Sequence, residues 1–317
     1  MATIVVNSSS DAVTNDGNVT LREAIKAANE NISVDGSDAG ESGADTIDLS
    51  QLSETIITFD VDAGELEIDE ELTIIGPNST VLTIDANGAS RVFNSSAPLT
   101  IEWLKITGGL LSGSGAGIYA QDGLTIRNSE VSGNSSGDYG GGIYVSGEII
   151  VTNTTISGNT GAYGGGIYSS SGTVTIDNSV ISGNSSDSGG GGVYAGDTVT
   201  ITGSEISGNT GGSGYGGGVY ASNATIIITD SEVSGNSSGD YGGGLYGTEI
   251  TVTNTTISGN TSDSYGGGIY SSSGTVTIDN SVISGNTSGD SGGGVYANDT
   301  VTITNSEISG NTSDSYG

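Results

Sequence analysis

From Gly115 onward the sequence repeats itself, and this limits the fold more than any other feature of the chain. Ser-Gly-Asn recurs with its last residue at Asn134, Asn159, Asn184, Asn209, Asn236, Asn260, Asn286 and Asn311. An apolar residue followed by tyrosine recurs at Tyr119, Tyr144, Tyr168, Tyr194, Tyr220, Tyr246, Tyr270 and Tyr296. Both series advance by 24 to 27 residues, so the unit is about 25 residues long and the last copy is incomplete. A longer period lies above it: Tyr163 to Asn184 is identical to Tyr265 to Asn286, an offset of 102 residues, by natural duplication or by design.

Within a unit the apolar residues alternate with polar ones, as in Val174-Thr175-Ile176-Asp177, and most are β-branched. That is strand periodicity, and no helical period competes with it. Three strand segments fit one unit, around Ile143-Tyr144, Val174 to Ile176 and Val180 to Ser182, with Gly, Asn and Ser supplying the turns. Three strands and three turns make one coil of a parallel β-helix. The leucine-rich repeat has a similar length, but its Leu-x-x-Leu-x-Leu pattern is missing. Inward columns follow: Ile118, Ile143, Ile167, Val193, Val219, Leu245, Ile269 and Val295 from the first strand, and Val131, Ile156, Ile181, Ile206, Val233, Ile257, Ile283 and Ile308 from the third. Stacking like on like lets a chain with 32% hydrophobic residues build a narrow core. Eight coils give a rod of about 40 Å at about 4.8 Å per coil.

Residues 1–110 form a different region from the repeats of 111–317, and hold every Lys and Arg except Arg127. Thr20 with Glu23 is a capping box, and Leu21, Ala24, Ile25 and Ala28 recur at helical spacing. One amphipathic helix of about ten residues is predicted there, covering the N-terminal end of the β-helix, whose first coil would otherwise expose strand edges. After an acidic loop over Val34 to Ala44, strands resume at Thr46 to Leu49, Thr55 to Phe59 and Leu72 to Ile75.

Thr20-Leu21-Arg22-Glu23-Ala24-Ile25, followed by Ala28-Asn29, resembles the N-terminal CSLREA-type domain of bacterial surface proteins, with Val19 where that signature has Cys. Leu72-Thr73-Ile74-Ile75-Gly76-Pro77 and Leu104-Lys105-Ile106-Thr107-Gly108-Gly109 resemble the first coils of pectate-lyase-like right-handed β-helices. The resemblance implies an all-β, right-handed parallel β-helix. That architecture hosts polysaccharide lyases, glycosidases, adhesins and anchored surface proteins alike, so it does not name a function. Its lyases use Arg or Lys as base and calcium held by Asp.

The composition narrows the chemistry. With 37 Asp and Glu against 5 Lys and Arg, the formal charge is −32, which excludes nucleic-acid or anionic-membrane partners held by counterion release. No run is apolar enough to span a membrane, and Met1 to Ser10 is no conventional signal peptide. The chain has no Cys and no His, so thiol nucleophiles, Cys or His metal sites and Ser-His-Asp relays are absent. From Asn128 to Gly317 there is no Lys or Arg to act as a lyase base. An inverting glycosidase needs two carboxyls about 6.5–9.5 Å apart, yet every carboxylate of the repeats has near-copies, so no singular catalytic constellation is expected.

Several columns remain as candidates. Asp138, Asp187, Asp240, Asp263 and Asp290, with Asp314, lie between Ser-Gly-Asn and the next Gly run, where hard oxygen ligands suit weak, repeated calcium binding. The same residues also serve a bland purpose, keeping a repetitive surface soluble. The Asn134 column suits an internal amide ladder at a turn, and Asn128, Asn153, Asn178, Asn254, Asn280 and Asn305 form a second, with Gly203 and Asp230 as exceptions. The Tyr119 to Tyr296 column should face outward, shielding the sheet or binding sugar rings. Thr173 with Thr175, Thr198 with Thr200 and Thr300 with Thr302 resemble an ice-binding array, interrupted by Glu148, Ile150, Asp177, Glu249 and Asp279. The expectation is a non-enzymatic extracellular or cell-surface rod, structural or adhesive, with a glycan or another surface molecule as partner. Because Tyr316-Gly317 would open a ninth Gly-run loop with no atypical capping coil, the reading admits either a fragment of a longer array or end-to-end self-association into filaments.

Overall fold

A computed structural model describes residues 1–78 and 81–316; Gly317, read as the opening of a ninth loop, lies outside the described residues. The chain winds into a right-handed parallel β-helix of about 11 turns, with one short helix. Three sheets run its length, with twelve, ten and eleven strands. The first contains Thr3–Val5, Asp45–Asp48 and Leu72–Ile75 and ends at Val301–Thr304. The second runs from Leu66–Ile68 to Val295–Ala297, and the third from Ile56–Thr58 to Glu307–Ser309. All pairings between successive coils are parallel, and like pairs with like, as in Ile118↔Ile143, Ile143↔Ile167 and Ile167↔Val193.

The alternation seen in the sequence becomes the inside and outside of the coil. Val174 and Ile176 are fully buried while Thr175 and Asp177 between and beyond them face outward. Both inward columns are buried except in the final coil, where Val295 is half-buried and Ile308 is 43% exposed because no later coil covers them. Each buried Val, Ile or Leu contributes about 1.5–3 kcal/mol, so a coil with four or five such residues supports itself only when neighbours cover both sides.

The structure adds a fourth strip to the three strands read from the sequence. Two residues after each ladder Asn pair with their counterparts, as in Ser135–Ser136 with Thr160–Gly161 and Thr261–Ser262 with Thr287–Ser288. Thr210 joins the two halves of this strip through single bridges to Ser185 and Ser237. Ser and Gly carry little strand propensity, which hides a two-residue strand in a turn-like sequence.

Helix α1 (Leu21–Glu30) has the expected bounds, with Thr20 and Glu23 forming a complete capping box and Asn31 closing it in the left-handed conformation. Its face of Leu21, Ala24, Ile25, Ala27 and Ala28 is buried against Thr3–Val5, Asp45–Asp48 and Leu66–Ile68, covering the N-terminal end of the core.

Candidate functional site

Two ladders explain the repeated motif. From Asn134 to Asn286, each side-chain amide donates to Oδ1 of the Asn one coil later at 2.9–3.0 Å. That same Oδ1 also accepts the earlier Asn's backbone N–H at 2.9–3.1 Å. Each amide's second donor reaches a carbonyl one coil back, such as Val131 O for Asn159. A fully buried amide is thus satisfied at every valence, which buried polar groups require.

A second ladder had not been read from the sequence. Ser129, Thr154, Ser179, Ser204, Ser231, Thr255, Ser281 and Ser306 each accept a backbone N–H from the coil before at 3.0–3.3 Å. Each hydroxyl donates to the carbonyl two residues back, at 2.6–2.8 Å. The signal is a Ser or Thr after each outer turn residue from Asn128 to Asn305, where it reads as ordinary turn chemistry.

The outer Asn column has a different cause from the inner one. Asn128, Asn153, Asn178, Asn254, Asn280 and Asn305 have φ of 48–50°, as does Asp230 at 52°, and Gly203 has φ 59°. These are left-handed turn positions, which Asn, Asp and Gly adopt most readily. Side-chain bonds between them are partial, as in Asn153 to Asn128 at 3.3 Å.

The tyrosines form a strip two rings wide. Tyr119 through Tyr296 stack with centroids 4.6–5.5 Å apart. Tyr139, Tyr163, Tyr215, Tyr241 and Tyr265 pack beside them, for example Tyr241 on Tyr270 at 4.8 Å. Five of the seven successive pairs are stacked within 18° of parallel, while Tyr194 with Tyr220 and Tyr220 with Tyr246 are tilted by 50° and 40°. Burial, with neighbouring phenols adding to it, pushes Tyr246 up to about 12 and moves Tyr168 and Tyr194 in the same direction. At the N-terminal end, the Arg91 guanidinium lies 4.9 Å from the Tyr119 ring centroid, while its nitrogens reach Glu65, Ser114 O and Gly115 O.

The aspartates of the Gly-run loops do not line up as one row. The bridges Tyr139↔Tyr163, Tyr241↔Tyr265 and Tyr265↔Ser291 set the local register. Asp138, Asp240 and Asp290 each precede a bridge residue, with uncharged Ala162 and Ser264 between them on the adjoining coils. Asp187 and Asp263 stand one residue further back, so they alternate with the first set rather than stack upon it. Asp138, Asp240 and Asp290 are half-buried, while Asp187, Asp263 and Asp314 are exposed. The Tyr265 hydroxyl beside Asp290 holds its carboxyl below the usual range. Among the described residues no three carboxylates gather into one cluster.

The first sheet carries a threonine column more continuous than the sequence pairs indicate. Thr3, Thr46, Thr73, Thr100, Thr125, Thr175, Thr200, Thr251, Thr277 and Thr302 stand in register, broken only by Ile150 and Ile227. Glu148, Asp177, Glu249 and Asp279 lie in the flanking columns.

The coils up to Arg127 hold the chain's cations and its tryptophan. All five cations pair with carboxylates: Arg22 with Asp11, Lys26 with Glu30, Arg91 with Glu65, Lys105 with Glu130 and Arg127 with Glu102. Trp103, the only tryptophan, occupies the outer turn position at φ 62°. A left-handed conformation costs a bulky side chain about 1–2 kcal/mol.

Comparison with known families matches the right handed beta helix region over residues 87–249 and again over 189–317. No curated protein matches the chain.

Proposed function

Because the chain belongs to the right handed beta helix region family, whose architecture serves enzymes and non-enzymes alike, we propose that it acts as a non-catalytic surface rod, structural or adhesive. The observation that carries this reading is the unbroken inner ladder from Asn134 to Asn311, which repeats every coil without a local exception. A catalytic centre needs one place unlike its neighbours. The repeats instead continue the four early layers of the first sheet into a stiff scaffold of twelve strand layers, about 50 Å long at about 4.8 Å per layer. Such a scaffold presents the same acidic surface many times over, which favours multivalent contact with a cell-surface glycan or protein. An extracellular or cell-surface location follows from that role. The rod reading also includes coil-on-coil association between chains, since stacking is how every internal coil covers its apolar residues.

Antibody labelling of intact producing cells tests location. Labelling of unpermeabilised cells is the expected result, and labelling that requires permeabilisation would overturn the surface reading. Light scattering of the purified chain across a concentration series tests association: growth in mass supports it, and a constant single-chain mass removes that part.

A second reading rests on the threonine column of the first sheet. A flat, rigid face of regularly spaced hydroxyls and methyls orders water, and ten of its twelve register positions are Thr. Thermal hysteresis in the presence of ice crystals would support ice binding. Its absence at millimolar protein would dismiss it.

A further inference from the structure

The single tryptophan sits where the fold least favours it. In register with Trp103 are Asn128, Asn153, Asn178, Gly203, Asp230, Asn254, Asn280 and Asn305, and those from Asn128 to Asn280 each donate their backbone N–H to the next coil in the same way as Trp103 does to Arg127 O. Eight coils out of nine place Asn, Asp or Gly at this left-handed turn, and one places the largest side chain there. Turn chemistry does not explain that choice, because Trp has neither the short polar side chain nor the freedom of Gly. Bulky residues held in such a conformation concentrate at ligand clamps and active sites.

The surroundings show a pocket. Trp103 is half-buried and lines an open cavity of about 360 Å³ with Ile75, Gly76, Thr46, Asp48 and Ser50, within the size range of small-molecule sites. Among the described residues the indole N–H has no acceptor. The Asp48 side chain accepts the Ser50 backbone N–H through Oδ1 at 2.8 Å, which fixes the carboxylate on the cavity's edge. Gly76 lets the preceding coil close onto Trp103: a Cβ there would stand 2.2 Å from the Trp103 carbonyl oxygen.

We propose that the cavity at Trp103 is a binding subsite for an uncharged pyranose ring. The indole supplies an apolar face for the sugar's C–H side and one donor, while Asp48 accepts from sugar hydroxyls and Thr46 and Ser50 exchange hydrogen bonds with them. Charge selects against acidic sugars, because the chain carries −32 and the two cations beside Trp103 in sequence and register, Lys105 and Arg127, are paired with Glu130 at 2.9 Å and Glu102 at 3.4 Å. The subsite does not depend on the rod reading, and either can fail without the other.

A lone tryptophan makes its own reporter. Emission from the full chain is titrated with soluble oligomers of glucose, N-acetylglucosamine, galactose and mannose, with oligogalacturonate as the acidic control. A saturable shift with at least one neutral series and none with the acidic one is expected. The variant Trp103→Asn restores the residue the turn prefers, so it should raise the midpoint of urea unfolding while weakening sugar binding at least tenfold, read by saturation-transfer NMR on the ligand. Three results would overturn the proposal: no response to any neutral series, equal response to the acidic one, or retained sugar binding in Trp103→Asn. A lowered unfolding midpoint in that variant would overturn it too, because Trp103 would then be a packing residue.

Discussion

Coils before Leu110 and coils after Gly115 share one topology and hold their edges together differently. The early coils use individual contacts: Phe93 in the core, Arg22 between Asp11 and two backbone carbonyls, Arg91 between Glu65 and the face of Tyr119. The later coils use no cation after Arg127 and rely on two ladders and a tyrosine stack repeated every coil. In the first region a substitution removes one pair. In the second it breaks a chain of bonds whose members on both sides lose a partner, so its cost depends on position along the rod.

The largest effect expected from this contrast is collective and alkaline. Burial raises the phenols of Tyr168, Tyr194, Tyr246 and Tyr270, with Tyr246 at about 12, whereas an unfolded tyrosine titrates near 10. A group whose folded pKa is raised keeps its full contribution below the unfolded value and loses it as pH climbs. The repeats should therefore be stable up to about pH 10 and weaken steadily toward pH 12. Tyrosinate absorbance should rise late, and the β-sheet circular dichroism should fall in the same window. Ionisation of all tyrosines at pH 10 with the sheet signal intact would show that the stack is not protected.

Next in size is a cut in the inner ladder. Asn209→Ala removes the acceptor of two donors on Asn184 and the donor to Ile181 O. Orphaned buried groups cost about 1–3 kcal/mol each, so about 4 kcal/mol is expected at this site. Urea unfolding should show it as a lowered midpoint, and the same change at Asn311, half-buried at the end of the ladder, should cost about a third as much. Equal costs at the two positions would mean that the ladder is a set of independent bonds.

Arg91→Gln tests the other region. It removes the ion pair to Glu65 at 2.7 Å, two backbone acceptors' partner and the cation over Tyr119. Because both groups are largely covered, about 2–3 kcal/mol is expected, less than for a fully buried pair. The loss should appear in the early coils and leave the alkaline transition of the repeats in place, as hydrogen exchange resolved along the chain can report.

Much of this was legible in the sequence because its periodicity is strict. The coil length, the inward columns, the helix from Leu21 to Glu30 and the inner Asn ladder each follow from one spacing and one residue type. What escaped notice depends on register between coils, which a single coil's sequence does not display. The second tyrosine column, the hydroxyl ladder and the alternation of Asp187 and Asp263 with Asp138, Asp240 and Asp290 all appear only when coils are stacked. Trp103 is illegible for another reason: its meaning lies in the eight residues that occupy the same turn, and the early coils lack the Ser-Gly-Asn and apolar-Tyr marks that set the register of the repeats.

The smallest prediction separates two asparagines six residues apart. Asn178 and Asn184 occur in the same coil, the first in a column that admits Gly203 and Asp230, the second in a column that is Asn throughout. Asn184 is buried in the inner ladder, whereas Asn178 is exposed and sits at φ 48°. Changing Asn178 to Ala should cost about 1 kcal/mol, the penalty of a left-handed Ala, and changing it to Gly should cost almost nothing, as the natural Gly203 one coil later suggests. For Asn184 the order reverses in meaning: Gly relieves nothing, because the loss lies in the side-chain amide and not in the backbone. Matched urea curves for the four variants would decide this. If Gly were as damaging as Ala at position 178, the outer column would be held by its side chains after all, and the partial bonds such as Asn153 to Asn128 would matter more than the turn.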